Sequence, residues 1–293
     1  MLTCNLQGGL GNQLFQIFTT IALSMKINDS FFFINKHQLT DDNNVKNGAT
    51  IRYTYWDTFL SSLRPFLKDQ SRLPNLDLYI KEQSFCYDPT ILTNLLISNS
   101  NVKMLVGYFQ SYKYFDLYKS QLLRLFKIDN KQFIMRELHR ATVDFDNTIS
   151  IHFRLGDYKK LTEYHPILTD EYYINALNYI MKDGGGSCNK NRNVLYFCED
   201  NDHIDVLQTI CNLQHIFTDL IFERADNRLY DWEQLLLMSL CKDNIIANST
   251  FSWWAAYFNT NPNKTVCYPA NWFGPKAGHD VADLFPEDWT STF

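Results

Sequence analysis

Four short segments carry residue types that bind anions, hydroxyls or rings. In Gly8-Gly9-Leu10-Gly11-Asn12-Gln13, glycines close an apolar run and amide side chains open a helical one. There the backbone N–H groups of Gly9 and Gly11, the helix dipole and the Asn12 and Gln13 side chains can meet an anion. No Gly-Lys-Ser/Thr follows, and Leu14 stands where a dinucleotide fingerprint needs its last glycine. In His152-Phe153-Arg154-Leu155-Gly156-Asp157-Tyr158, strand alternation puts His152 and Arg154 on one face and Phe153 and Leu155 on the other. An Arg at a strand's carboxyl end suits a pyrophosphate, because its planar fork donates paired, charge-assisted hydrogen bonds. Asp157 can orient that Arg or act as a base.

Glu199-Asp200-Asn201-Asp202 follows another apolar run, and its D-x-D spacing is one by which nucleotide-sugar transferases hold a divalent metal. Asn248-Ser249-Thr250-Phe251-Ser252-Trp253-Trp254 again opens a helix after a strand. Its hydroxyls and N–H groups suit a phosphate and its rings a sugar or base. Each segment also has a purely architectural reading: a tight turn capped by Asn12, an internal Arg154–Asp157 ion pair, helix caps at Asp200 and Asp202, and core positions for Trp253 and Trp254.

The elements that must position these groups alternate. Apolar runs at 31–34, 102–109, 149–153, 194–197, 244–247 and 265–268 read as short buried strands. Helical spacing runs from about Asn12 to Lys26, and over 114–126, 131–140, 170–181, 202–211, 229–241 and 251–258. Polar or glycine-rich loops are expected at Asp41–Asn47 and Asp183–Asn191. Such alternation predicts an α/β fold with parallel sheets and ligands at the carboxyl ends of strands. A second α/β unit starts at the strand opening near Ile149, giving domains 1–147 and 148–293.

The 293 residues, 45% hydrophobic and 15% aromatic, suffice for one large core or two modest ones and exclude disordered and fibrous classes. A net charge of -5 without any basic run argues against nucleic acid as partner. Seven scattered Cys without a C-x-x-C pair predict reduced, mostly buried thiols rather than zinc or a disulfide framework. No window approaches the eighteen or so apolar residues of a membrane span and no signal segment opens the chain, so a cytoplasmic location is expected.

The order and spacing of Gly8 to Gln16, Gly107-Tyr108-Phe109-Gln110-Ser111, His152 to Tyr158, and Leu237 to Trp254 resemble the motifs of the alpha-1,2-fucosyltransferases, glycosyltransferase family 11. The resemblance spans almost the whole chain. It implies a GT-B fold, two Rossmann-like domains with parallel sheets facing a cleft, the N-terminal one on the acceptor side and the C-terminal one holding GDP-fucose. It implies inverting transfer of L-fucose to the 2-hydroxyl of a terminal beta-galactoside on a glycan, with no metal and no cofactor beyond the donor. Arg154, Asp157, His152 and Asn12 are then the candidate catalytic residues. Gly9, Gly11, Gln13, Arg154, Glu199, Asp200, Asn248, Ser249, Thr250, Phe251 and Ser252 are the candidate donor-binding residues. The family's His-x-Arg-Arg-Gly-Asp-Tyr departs here, with Leu155 at the second Arg. Two alternatives stand beside this reading: a metal-dependent transferase using Asp200 and Asp202, and an inactive glycan-binding protein on the same scaffold.

Overall fold

The computed structural model describes residues 1–40, 51–183 and 192–293. The loop expected at Asp41–Asn47 lies outside them, as does all but the first residue of the loop expected at Asp183–Asn191. The chain forms two compact units, Met1–Asp129 with His279–Pro286 and Asn130–Gly278 with Glu287–Phe293. It passes between them at 129/130, 278/279 and 286/287, where the sequence suggests a single crossing at 147/148.

In the first unit, β1 (Leu2–Cys4) leads through the Gly8-Gly9 turn into α1 (Leu10–Lys26). Short strands follow: β2 (Phe33–Ile34), β3 (Gln38–Thr40), β4 (Ile51–Tyr53), β5 (Leu67–Lys68) and β6 (Leu78–Lys81). Then come α2 (Thr90–Ile97), β7 (Lys103–Val106) and α3 (Lys119–Leu125). The sheet is β1-β7-β6, all parallel, with β2 and β5 a separate parallel pair. β3 and β4 pair antiparallel, an exception to the parallel pattern. Two turns of 3-10 helix precede α3, so the helix expected from Tyr114 is regular only from Lys119.

Almost every α1 side chain from Leu10 to Ser24 is buried, including Gln13, Gln16, Thr19 and Thr20. Phe18 packs edge-on to Phe115 and tilted against Phe126, with ring centroids 5.6 and 4.5 Å apart. Each such ring contributes about 1.5–3 kcal/mol of burial.

The second unit holds most of α4 (Ile128–His139), then β8 (Thr148–His152), α5 (Asp170–Asp183), β9 (Asn193–Phe197), α6 (His203–Ile216) and β10 (Ile221–Arg224). It continues with α7 (Asp231–Leu240), β11 (Asp243–Ile245), α8 (Thr250–Phe258), β12 (Val266–Pro269) and β13 (Thr290–Thr292). Its six-stranded sheet, β10-β9-β8-β11-β12-β13, is parallel throughout. Counted within the unit this is the order 3-2-1-4-5-6 of a doubly wound nucleotide-binding sheet. Ile149, Ile151, Val194 and Tyr196 form one core with Tyr173, Ala176 and Leu177 of α5 and Val206, Ile210 and Leu213 of α6. The fold is thus the α/β class expected, with a parallel sheet in each unit.

Candidate active site

In a doubly wound sheet, ligands enter where the strand order reverses. Here that point lies between β8 and β11, which pair directly, Ile151 opposite Ile245. Three of the four segments singled out above emerge at the carboxyl ends of adjacent strands: 199–202 after β9, 152–158 after β8 and 248–252 after β11. Two hydrogen bonds cross the reversal point. His152 Nδ1 lies 2.9 Å from Ser252 Oγ, and the Tyr158 hydroxyl donates to the Asn248 carbonyl at 3.1 Å.

Arg154 stands just beyond β8, its side chain 20% exposed. One terminal nitrogen donates to Glu199 and the other to Asp157 Oδ1 at 2.5 Å, while the guanidinium lies 5.1 Å from the Tyr158 ring centroid. These bonds use two of the five N–H donors of an Arg. The carboxylates themselves are about half exposed, so the pairs orient the guanidinium more than they stabilise the fold. Gly156 allows this packing. Its φ is +33°, and a Cβ there would sit 3.2 Å from Glu199 Oε2 and 3.4 Å from an Arg154 nitrogen.

Strand alternation holds through this turn, with Phe153 in the core and Leu155 packed against it. Leu155 therefore belongs to the apolar layer beneath the loop.

His152 is buried, and burial together with the neighbouring Arg154 charge lowers its pKa to about 3. A neutral imidazole bonded to the fully buried Ser252 is a poor proton acceptor at neutral pH. The base role expected for His152 gives way to one of positioning. Ser252 is likewise withdrawn from ligand contact. Trp253, weighed for ring stacking, is fully buried with Trp254, their centroids 5.1 Å apart. Ser249 caps α8, its hydroxyl accepting the Phe251 N–H at 3.3 Å, while Thr250 and Phe251 are half-buried. Asn248 donates to the carbonyls of Pro166 at 2.9 Å and Trp272 at 3.3 Å, leaving its buried Oδ1 without a hydrogen-bond partner.

The two Asp of the D-x-D triplet separate. Asp200 is exposed and held by Arg224 at 2.5 Å and Asn227 at 3.0 Å; the Asn227 and Arg224 bonds hold its pKa below the usual range. Asp202 is buried, accepting the Gly156 N–H at 2.6 Å and the Lys159 ammonium at 2.7 Å. Its oxygens hold the Arg154 loop, which is not the arrangement by which a D-x-D pair grips one cation. Among the described residues, no three His, Cys, Asp or Glu are grouped to hold a metal ion.

In the first unit, Gly9 is extended and stands at the N-cap of α1, with open space where a side chain would begin. Gly11 lies within the helix. The position that demands glycine is Gly8: its φ is +77°, and a Cβ would fall 2.5 Å from the Asn12 amide. Asn12 Oδ1 accepts from Gln110 at 3.0 Å, tying α1 to the segment after β7. The Gln13 amide donates to the carbonyls of Gly8 and Tyr53. Asn12 and Gln13 thus brace the turn that presents the helix N-terminus.

Lys159, Arg224, Asn227 and Gln110 join these clusters without having been singled out as site residues. Gln110 lies within a segment that carries the resemblance. Arg224 escapes because β10 is only four residues long and half polar, so its carboxyl end is not visible as a strand end.

Comparison with known proteins places this geometry in context. The glycosyl transferase family 11 profile matches residues 1–291. The chain is 28% identical to an O-antigen biosynthesis glycosyltransferase of Escherichia coli, covering 99% of both chains. It is 27% identical to an alpha-1,2-colitosyltransferase of the same organism, covering 99% of this chain and 98% of that one. It is 24% identical to a galactoside 2-alpha-L-fucosyltransferase of Caenorhabditis elegans, covering 99% of this chain and 78% of the other. Among the described residues, no helix is long and apolar enough to cross a membrane.

Proposed function

The chain belongs to glycosyltransferase family 11 and is a glycosyltransferase, and from that premise we propose that it transfers L-fucose from GDP-fucose to the 2-hydroxyl of a terminal beta-galactoside, with inversion and without a metal. The observation that carries this reading is the placement of Arg154 just past β8, at the reversal point of a 3-2-1-4-5-6 sheet where the neighbouring strand β11 leads into α8.

A donor diphosphate in that position meets a preoriented guanidinium and the positive end of a helix. Both stabilise the charge that develops on GDP as the anomeric bond breaks. The acceptor oxygen attacks the opposite face of the fucose carbon through an oxocarbenium-like transition state. Asp200, braced by Arg224 and Asn227, offers a fixed carboxylate to the N–H edge of guanine, and Glu199 lies next to it. In the first unit, the Gly9 turn and Asn12 offer amides to the acceptor side.

The test is GDP release from GDP-fucose with and without lactose, in EDTA. Acceptor-dependent release is the expected result. Silence, or release only after a divalent metal is restored, overturns the reading. The colitosyltransferase relative favours one competing donor, so the same assay is run with GDP-colitose. Turnover with that sugar alone would reassign the donor and leave the reaction type standing.

A further inference from the structure

Arg154 is held in two different ways. Its terminal nitrogens donate to Glu199 and Asp157, two half-exposed carboxylates, and its guanidinium lies against the Tyr158 ring, 5.1 Å from the centroid. The carboxylates use N–H donors and carry the same sign of charge as a diphosphate, so an arriving nucleotide competes with them. An aromatic ring attracts the cation through its π face and uses no N–H. Tyr158 is therefore the contact that keeps its hold on Arg154 while the donor binds and GDP leaves.

The phenol is itself fixed at both ends. Its backbone belongs to a short 3-10 turn, Gly156–Lys160, in which the Tyr158 N–H donates to the Leu155 carbonyl at 2.8 Å. Its hydroxyl donates to the carbonyl of Asn248, the residue before the Ser249 cap of α8. The side chain thus spans from the loop after β8 to the turn after β11. His165 also stacks on the ring, with centroids 4.4 Å apart and planes 15° from parallel, and Phe273 lies 5.8 Å from His165.

His165 and Phe273 come from loops that lock together. The Gly274 N–H donates to the Tyr164 carbonyl at 2.8 Å and the Lys276 N–H to that of Glu163 at 3.0 Å. A Cβ on Gly274 would fall 2.3 Å from the Glu163 oxygen, so the approach requires glycine. The Asn248 side chain ties both loops to the end of β11 through the carbonyls of Pro166 and Trp272. Support of this kind restricts the Tyr158 ring to one orientation.

We propose that Tyr158 is a positioning residue of the transfer reaction: its ring sets the direction of the Arg154 fork, and its hydroxyl sets the separation of that loop from the turn that opens α8. The inference rests on the reaction proposed above. Both arms serve the charge that grows on the departing GDP, so a drift of either weakens the transition state more than it weakens the fold. His165 acts one step further back, through Tyr158.

The experiment is a double-mutant cycle on the whole protein, pairing Tyr158→Leu with Arg154→Ala. It follows kcat with GDP-fucose and lactose, thermal melting, and GDP affinity, which closes the cycle if turnover without Arg154 is too slow to measure. Tyr158→Leu alone should lower kcat by about 10- to 100-fold with little change in melting. In the Arg154→Ala background the same substitution should cost less than about twofold, because the group it positions is gone. Tyr158→Phe, which keeps the ring and loses the hydroxyl, should fall between the parent and Tyr158→Leu. A Tyr158→Leu kcat within about threefold of the parent overturns the proposal, as does an equal loss in both backgrounds, which would make Tyr158 independent of Arg154. If Tyr158→Leu does not fold, His165→Ala takes its place: a loss of about threefold or more that vanishes without Arg154 is expected, and an equal loss with and without Arg154 overturns the proposal. A parent that neither binds GDP nor turns over defeats the transfer reading and this inference with it, an outcome distinguished by appearing before any variant is made.

Discussion

The Asp202 carboxylate accepts the Gly156 N–H at 2.6 Å, across 46 residues of sequence. This bond makes a buried acid from the segment after β9 the anchor of the loop that carries Arg154.

Replacing Asp202 by Ala leaves the half-buried Gly156 N–H without its acceptor and leaves Lys159 with Asp205. The expected cost is about 1–3 kcal/mol of stability, with transfer falling further than stability does because Arg154 loses its support. Thermal melting and initial rates on one preparation check this. Equal stability in the variant would mean the loop stands without its anchor.

Gly156→Ala is expected to leave the fold intact and to reduce transfer at least tenfold. The new methyl crowds Glu199 and the Arg154 fork at a left-handed φ that costs about 1–2 kcal/mol for an L residue. Rates near those of the parent would show that the guanidinium is not held as closely as the geometry implies.

Arg154→Ala should lower kcat by at least about 100-fold, the scale seen when a donor to developing charge is removed. Stability should change little, since Asp157 and Glu199 are half exposed. Arg154→Lys should recover little, because a single ammonium cannot reach both carboxylates in the fork geometry. Steady-state kinetics with circular dichroism distinguish this from unfolding.

Restoring the family's second Arg as Leu155→Arg is expected to cost about 1 kcal/mol by removing an apolar contact with the core, without raising turnover. A gain in donor affinity would show that position 155 reaches the diphosphate after all.

The two units should respond to pH with opposite signs. The folded pKa of His152 is depressed to about 3, so its contribution is present above the unfolded histidine value near 6.5 and is lost as pH falls from there. Glu82 is raised to about 7 by burial; the folded state holds more protons than the unfolded one between the ordinary glutamate range and pH 7, so stability falls as pH rises through that window, by about 3–4 kcal/mol in full. Hydrogen exchange at pH 5 and pH 8 reads the units separately. Expected are weaker protection of β8 and α8 at the lower pH and of β6 and β7 at the higher, with Glu82→Gln flattening the latter.

The sequence revealed strands whose residues are almost all apolar, such as β9 and β12, because burial on both faces leaves an unbroken hydrophobic run. It concealed β3, β5, β6 and β10, which are two to four residues long, carry polar residues and take their shape from neighbours already in place. At the site, Arg154, Asp157 and Glu199 were legible because strand ends with charge are conspicuous. Which of His152, Ser252 and Trp253 turn inward was not, since a segment opening a helix gives no sign of the depth at which that helix is buried.

Asp283 accepts from the Lys113 ammonium and from the Tyr87 N–H, while His279 stacks on Phe85 with ring centroids 3.9 Å apart. The segment that closes the first unit therefore follows the second in the chain. During synthesis the first unit waits for the His279 ring that stacks on Phe85 and the Asp283 carboxylate that accepts from Lys113 until the second has been made. Cutting the gene at the obvious midpoint would yield an N-terminal fragment lacking its own clasp, so the halves are suited to being expressed together and poorly suited to being exchanged between relatives.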